Sequence, residues 1–239
     1  MGRNRAGCRA DCVGVRRLAS RVLSALVDLA GDALAPGRCA ACDEPIDRAA
    51  FCAPCAATVE RVRATPPATG SAPTLAAFEY GGAMSRALMR AKYKDRPELL
   101  RVLARCALEP LERPLQELAR GALLVPVPLH TTRLAERGYN QSARIAATLA
   151  RSVGARHAPR ALERRLDTRS QAQLPRRERL RNVAGAFVAR VPLRGARVVL
   201  VDDVMTTGAT LRACAEAVSD AGAVLTGCVV VAFAERGGL

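Results

Sequence analysis

The stretch that most constrains this chain is an apolar run that ends in two acids and is followed by a loop of small residues. The run Val198–Val201 leads into Asp202 and Asp203, and the loop Thr206–Thr210 comes shortly after. Four apolar residues, three of them β-branched, are typical of a buried strand in a parallel sheet. Apolar residues then recur at helical spacing over positions 211–218. The sequence therefore predicts a strand, a loop and a helix in succession, the unit of an α/β fold.

A loop between a strand and a helix N-terminus is suited to binding anions. Backbone N–H groups lack helical partners there, the helix dipole is positive, and Gly208 permits a positive φ and a close approach. Hydroxyl donors are present on Thr206, Thr207 and Thr210. The adjacent carboxylates suit ribose hydroxyls or a hydrated Mg²⁺. Together they indicate a ribose 5-phosphate site; the simpler alternative is that the acids cap the helix and Gly208 only eases a turn.

Four cysteines form two closely spaced pairs, Cys39 with Cys42 and Cys52 with Cys55. Two Cys-x2-Cys turns can supply the four thiolates of a tetrahedral zinc site, which predicts a small structural zinc ribbon with no open coordination position. Disulfides are the alternative. The sequence has no secretory signal and keeps isolated cysteines elsewhere, which favours zinc and a cytoplasmic location. The isolated cysteines are Cys106, Cys214 and Cys228, and Cys8 and Cys12 have no assigned role.

The composition and net charge favour some classes of binding partner but do not select a single one. The formal net charge is +15 and the sequence pI is about 10.6, which favours polyanions such as nucleic acid or phosphate-rich substrates. Aromatic residues are only 3% and Trp is absent, which argues against an extended platform for stacking bases. The chain has no apolar window of the roughly 18 residues that a membrane span needs.

The chain divides into four predicted segments. Residues 1–17 are predicted to be disordered, and residues 18–64 are predicted to form an amphipathic helix and the zinc module. Residues 65–73 are rich in Pro, Gly and Ser and are predicted to be a linker, which leaves residues 74–239 for the main domain. Within that domain, the helical pattern from Glu98 to Leu118 is expected to be broken at Pro110 and Pro114.

Cationic side chains gather at two further places. Arg133 and Arg137 follow the predicted strand 123–128 and precede a helix, where they can contact phosphate or pyrophosphate in a bidentate manner. His130, in the same turn, is either a base or a hydrogen-bonding spacer, and the spacer is favoured. The segment Arg160–Arg181 carries eight arginines against three acids, which predicts a polar loop that closes over an anion or stays solvated.

These segments together resemble the ComF family, whose members combine a four-cysteine element with a type I phosphoribosyltransferase-like domain. The resemblance spans roughly residues 18–235 and lies in five motifs in the family's order. They are the two cysteine pairs, Lys92-Tyr93, Val125–His130 with Arg133–Gln141, Thr168–Leu174 with Asn182–Phe187, and Val201–Thr210. The last one matches the phosphoribosyl pyrophosphate signature of the type I phosphoribosyltransferases.

The resemblance implies a parallel five-stranded sheet flanked by helices and a phosphoribosyl pyrophosphate-type ligand bound with Mg²⁺. Asp202 and Asp203 would be the catalytic pair at the ribose. The implied ligand-binding residues are Thr206, Thr207, Gly208, Ala209, Thr210, Lys92, Arg133, Arg137, Gln141 and Gln171. No residue identifies an acceptor base. Because the family is associated with natural competence and incoming DNA, the alternative is a non-catalytic single-stranded-DNA-binding protein on the same scaffold, working with other proteins of the competence machinery.

Overall fold

A computed structural model of the chain describes residues 37–47, 49–93, 96–166 and 185–235. The predictions of a disordered N-terminus and of an amphipathic helix in residues 18–34 lie outside these ranges. So do Gln171, Thr168, Asn182 and most of the arginine-rich segment.

The four-cysteine region forms a small unit ahead of the main sheet. Strands β1 (Gly37–Arg38) and β2 (Pro45–Ile46) pair antiparallel, and the short helix α1 (Ala53–Ala56) carries Cys55. The chain that follows runs beside the first long strand, where the Val62 N–H donates to the Ala77 carbonyl over 3.2 Å. The cysteine unit is therefore connected to the edge of the main sheet by backbone hydrogen bonds.

The main domain alternates strands and helices. Its elements are β3 (Thr74–Glu79), α2 (Gly82–Tyr93), α3 (Leu99–Ala119), β4 (Ala122–Pro126), α4 (Thr131–Arg137), α5 (Gln141–Ser152), β5 (Arg156–His157), β6 (Leu162–Arg164), β7 (Phe187–Ala189), β8 (Arg197–Met205), α6 (Ala209–Asp220) and β9 (Val224–Phe233). Five strands form a parallel sheet in the order β3-β9-β8-β4-β5, and β6 and β7 form a separate antiparallel pair. The predicted parallel five-stranded sheet is confirmed.

Strand β8 lies at the centre of the sheet and is buried on both faces. Val199 and Val201 pack into the core under α2, α3 and α5, whereas Val198 and Leu200 pack into the core under α6. All four are fully buried. Side chains alternate across a strand with a period of two, so an uninterrupted apolar run is what a strand covered on both faces needs.

Three features of the main domain differ from the sequence predictions. Helix α3 continues through Pro110 and Pro114, so the predicted break is wrong. Each internal proline costs roughly 3 kcal/mol of helix stability, and the fully buried Leu100, Leu103 and Leu115 on the same helix outweigh that cost through packing. Strand β8 also continues beyond the acid pair, because its pairing with β9 extends to Met205.

The third difference is the presence of short helices and strands in segments where the sequence predicted loops. Helix α4 fills part of the loop expected after β4, and it ends at Gly138, whose φ is +75°. Strand β6 lies in a segment without apolar periodicity. Among the helices of the described residues, none combines the length and the apolar character needed to cross a membrane.

Candidate functional site

The acid pair lies inside the protein at the carboxyl end of the central strand. Asp202 is 8% exposed and Asp203 is 4% exposed. The Ser142 hydroxyl donates to Asp202 Oδ1 over 2.7 Å, and the Asp203 N–H donates to the same oxygen over 2.9 Å. Buried carboxylates are stable only with such partners. The pair is therefore held in one arrangement before any ligand arrives.

Lys92 supplies the countercharge for this pair. Its ammonium forms an ion pair with Asp203 Oδ2, and its side chain is only 17% exposed. Burial alone lowers the pKa of Lys92, but the charge of Asp203 and its hydrogen bond raise that pKa above its usual value, so the side chain is cationic. The last turn of α2 thus brings a cation onto the acid pair.

The Asp202 carboxyl has a strongly raised pKa. Burial, and then the neighbouring charge of Asp203, raises the pKa of Asp202 to about 7. The Ser142 hydrogen bond and Lys92 act in the opposite direction without cancelling that shift. Asp202 is therefore close to its titration point at neutral pH, whereas Asp203 is the carboxylate that holds the lysine.

The loop that follows the pair has the geometry of an anion cradle. Gly208 is the N-cap of α6, with φ +70°, and a Cβ at that position would lie 2.6 Å from Met205 Cε. Arg212 in the first turn of the helix donates from Nη1 to the Thr207 carbonyl over 2.8 Å. Thr206 and Thr207 are exposed. Amides that precede a first helical turn lack intrahelical acceptors, which leaves them suited to an anionic ligand.

A cationic cleft of about 570 Å³ lies beside the acid pair. It is lined by Lys92, Tyr93, Arg133, Ala135, Glu136, Arg137, Gly138 and Tyr139. Arg137 lies over the Tyr93 ring at 5.3 Å and donates to Gln141 Oε1 over 2.6 Å. Because Lys92 lines this cleft and also contacts Asp203, the cleft and the acid pair meet at one side chain.

The structure thus brings together most of the residues singled out in the sequence. Lys92 joins Asp202 and Asp203, Arg133 and Arg137 face the cleft, and Gln141 supports Arg137. His130 serves as the N-cap of α4, since its side chain accepts from the Thr132 N–H; this is the spacer interpretation.

Sequence reasoning missed two supporting residues, Ser142 and Asn140. The Asn140 side chain accepts from the Ser142 and Ala143 N–H groups at the start of α5, and its amide donates to the Val127 carbonyl over 3.0 Å. Asparagine ahead of an amphipathic segment is a recognised N-cap signal. The sequence therefore contained a signal for the Asn140 cap. It contained no local pattern that predicts the hydrogen bond from Ser142 to Asp202.

The four cysteines of the first unit fit a zinc ion. Their sulfur atoms all lie within 4.8 Å of one another, and the Cys42 and Cys52 sulfurs are 3.6 Å apart. Zinc–sulfur bonds of about 2.3 Å in a tetrahedron place sulfurs roughly 3.8 Å apart. Burial raises the pKa of the Cys39 thiol, but backbone hydrogen bonds at Cys52, Cys42 and Ala41 outweigh it and lower that pKa to about 6, whereas the pKa values of the other three thiols are raised. A thiolate at neutral pH is the form that binds zinc.

Comparison with known proteins agrees with this arrangement. Residues 134–238 match the family model described as the phosphoribosyl transferase domain. The chain is 33% identical over 135 residues to the DNA utilization protein YhgH of Salmonella typhi, and 33% identical over 136 residues to Competence protein F of Haemophilus influenzae. It is 28% identical over 145 residues to Competence protein ComFC of Bacillus subtilis.

These alignments cover 56%, 54% and 61% of this chain and 60%, 58% and 57% of the respective relatives. The chain thus spans less than two thirds of the length of the curated relatives it matches. The matched residues contain the acid pair, the loop and Arg137, whereas Lys92, Tyr93 and Arg133 of the cleft precede the match. The four-cysteine unit precedes it, as the sequence resemblance implied. Over part of its length the chain is therefore a homologue of these proteins, and its residues 134–238 match the phosphoribosyl transferase domain.

Proposed function

We propose that this protein binds a phosphoribosyl pyrophosphate-type ligand at the acid pair and the loop that follows it. The 5-phosphate would lie on the amides and hydroxyls of Thr206–Thr210, the ribose hydroxyls on Asp202 and Asp203, and the pyrophosphate against Lys92, Arg133 and Arg137. The observation that carries the proposal is the ion pair between Lys92 and Asp203, which joins a cationic cleft to a buried carboxylate directly before a phosphate cradle.

The ion pair also indicates how such a ligand would engage. A pyrophosphate group offers Lys92 a more highly charged partner than one carboxylate, so the ammonium would turn toward it. Asp203 would then be released for the ribose hydroxyls. Mg²⁺ bound with the ligand would neutralise pyrophosphate charge, and the carboxylates of Asp202 and Asp203 are the oxygen donors that would hold it through its water shell.

A transfer reaction on this arrangement would break the bond between ribose C1 and the pyrophosphate oxygen. Pyrophosphate would leave with the electron pair, C1 would bond to a nitrogen of the acceptor, and that nitrogen would lose a proton. The electrostatic work is to stabilise positive charge on the ribose and negative charge on the leaving group. Buried carboxylates near the first and cationic side chains near the second can do both.

Calorimetric titration tests the binding step. With phosphoribosyl pyrophosphate and Mg²⁺, we expect saturable binding to the wild type and loss of at least about 100-fold in affinity in the Asp202→Asn/Asp203→Asn variant, because two buried contacts to the ligand are removed. Glu109→Gln is the matched control. Glu109 lies on α3 and forms an exposed ion pair with Arg61, so this variant should bind the ligand normally. A wild type that shows no saturable binding would overturn the proposal.

Single-stranded DNA binding is the second candidate function. It is favoured by the net charge of +15 and by relatives whose names refer to DNA utilization and competence. Binding that rests on phosphate neutralisation falls steeply with salt, and the logarithm of the affinity is linear in that of the salt concentration. If DNA affinity follows such a line and is the same in the double variant, while phosphoribosyl pyrophosphate does not bind, the DNA function replaces the first one.

A further inference from the structure

Helix α2 lies between the four-cysteine unit and the acid pair, and it contacts both. Arg90 donates to the carbonyls of Cys39 and Ala40 over 3.0 and 3.2 Å. Lys92, two residues later, holds Asp203. Residues two apart on a helix point about 200° away from each other, so these side chains leave the helix on nearly opposite sides. One helix therefore has the cysteine unit on one side and the catalytic candidates on the other.

The cysteine unit contacts this helix along its whole length. At its start, the Thr58 hydroxyl accepts from the Ala83 N–H over 3.0 Å, and a Cβ on Gly82 would lie 2.2 Å from the Thr58 carbonyl. In the middle, Arg86 Nη2 lies 3.7 Å from Cys55 Sγ. At its end, Arg90 is bound as described above. A helix fixed at start, middle and end has little freedom to turn or slide.

Asp43, in the loop between the two cysteine pairs, fixes the end that carries Lys92. Its Oδ1 accepts from Arg90 Nη2 over 2.6 Å and from Arg96 Nη1 over 3.0 Å. Lys92 and Tyr93 lie in the chain between these two arginines. One carboxylate oxygen thus holds the segment from both sides, and the Arg90 side chain is only 11% exposed.

We propose that Asp43 is a positioning residue for the acid-pair site: through Arg90 and Arg96, the four-cysteine unit sets the position of Lys92 against Asp203 and of Tyr93 at the cleft. In its effect on ligand binding this inference rests on the proposed function. The position of Lys92 itself does not depend on any ligand. An exposed ion pair contributes little to stability, and the Asp43 side chain is 40% exposed. A change at Asp43 should therefore displace the Lys92 side chain while leaving the free energy of unfolding nearly unchanged.

The first test reads Lys92 without a ligand. The chain contains only two lysines, Lys92 and Lys94, so acylation of Lys92 can be followed by mass spectrometry on the peptide 91–101, with fragmentation to separate it from Lys94. Cleavage after arginine releases this peptide because the Arg96–Pro97 bond is not cut. An ion-paired, buried ammonium reacts slowly, because acylation needs the neutral amine. In Asp43→Asn we expect Lys92 to react about fivefold faster, the size of a typical coupling between contacting groups.

Asn is a suitable replacement because residue 43 has φ +72°, a conformation that asparagine tolerates. Glu109→Gln is the matched control, since it also changes a carboxylate that holds an arginine at 2.6 Å. Zinc content is measured on each variant. If Asp43→Asn loses metal, Arg96→Gln is used in its place, because it removes the contact beyond Lys92 and leaves Asp43 itself unchanged. Arg96→Gln also removes the ion pair between Arg96 and Glu98, so Glu98→Gln is measured beside it. Equal labelling rates in these variants, the control and the wild type would overturn the proposal.

The second test asks whether Asp43 acts through Lys92. Affinity for phosphoribosyl pyrophosphate is measured for the wild type, Asp43→Asn, Lys92→Gln and the double variant. We expect Asp43→Asn to weaken binding about fivefold in the wild-type background and to have no further effect once Lys92 is gone. Additive effects would indicate a general structural role and would overturn the proposal. If the wild type does not bind the ligand, the proposed function fails, and the labelling result alone decides the role of Asp43.

Discussion

Two adjacent aspartates in one strand show how far environment separates chemically identical residues. Asp203 holds an ammonium, whereas Asp202 accepts a hydrogen bond from the Ser142 hydroxyl. Their neighbouring charges disfavour each other, and burial adds to that cost for the one without a cation. The pair therefore offers one carboxylate that is ion-paired with Lys92 and one that changes charge near neutral pH.

The pH dependence of stability should report this difference. Because the folded-state pKa of Asp202 is raised to about 7 from 3.8, the folded protein holds a proton that the unfolded chain releases, so the free energy of unfolding falls as pH rises toward 7. As the pH rises from 5.5 to 7.5, the free energy of unfolding should fall less steeply for Asp202→Asn than for the wild type. The difference between the two slopes should be at most about 1.4 kcal/mol per pH unit.

Urea unfolding at several pH values measures this effect. Asp220→Asn, at the exposed end of α6, is the control for loss of a negative charge and should follow the wild type. Parallel pH profiles for the wild type and Asp202→Asn would show that Asp202 titrates in the folded state as it does in the unfolded chain.

Gly208 is the residue on which the backbone geometry of the loop Thr206–Thr210 depends most directly. Gly208→Ala must adopt a positive φ, at a cost of about 1 kcal/mol, and its methyl group would also meet Met205 Cε at 2.6 Å. Gly195→Ala is matched, because its φ is +72° and a Cβ there meets nothing within 4 Å. We expect Gly208→Ala and Gly195→Ala to lower the free energy of unfolding by similar amounts, about 1 kcal/mol each, because Met205 Cε is the end of a flexible side chain that can shift. Only Gly208→Ala should weaken ligand binding. Denaturant titration checks the first expectation.

At the scale of elements, helices α2 and α3 show which predictions local sequence could support. The helical pattern of α3 was visible, but its continuity through Pro110 and Pro114 was not. Proline is penalised by local geometry, and the compensation comes from leucines that pack on strands distant in sequence. The attachment of α2 to the cysteine unit on one side and to Asp203 on the other depends on contacts between distant segments.

The zinc element should be tested as a unit. We expect protein purified without added metal to contain about one zinc per chain and Cys42→Ser to lose more than half of it, because a four-cysteine site needs all its thiolates for tight binding. Cys106→Ser, a cysteine outside the cluster, should keep its metal. Metal analysis decides this directly. Hydrogen exchange in residues 82–93 should rise in Cys42→Ser alone, since α2 is held by that unit.

A wild type with less than about half an equivalent of zinc, and with all four thiols freely titratable while folded, would contradict the metal site. The variants Cys42→Ser and Cys106→Ser are purified in the same way as the wild type, without added metal. A Cys106→Ser protein that also lost its metal would show that cysteine loss in general, and not loss of a ligand, was responsible.

At the scale of the molecule, the four-cysteine unit and the main domain share a core. Ala40 lies in the same buried cluster as Leu88, Leu99 and Leu100. Units that share buried contacts tend to unfold together. We therefore expect a single calorimetric transition for the zinc-loaded protein, and a shift of that whole transition to lower temperature with a chelator. Two separate transitions, with only the first sensitive to the chelator, would show that the units unfold independently.

The sequence by itself determined the fold class, the central strand, the cysteine cluster and the strand-to-helix loop. Each is encoded locally: apolar runs set burial, paired cysteines set ligand spacing, and glycine with threonines sets the turn. Only the tertiary structure decided that Lys92 contacts Asp203, that Ser142 holds Asp202 and that Asp43 binds arginines on both sides of Lys92. Ion pairs and hydrogen bonds between distant segments depend on how helices pack across a sheet, and packing is a property of the whole chain.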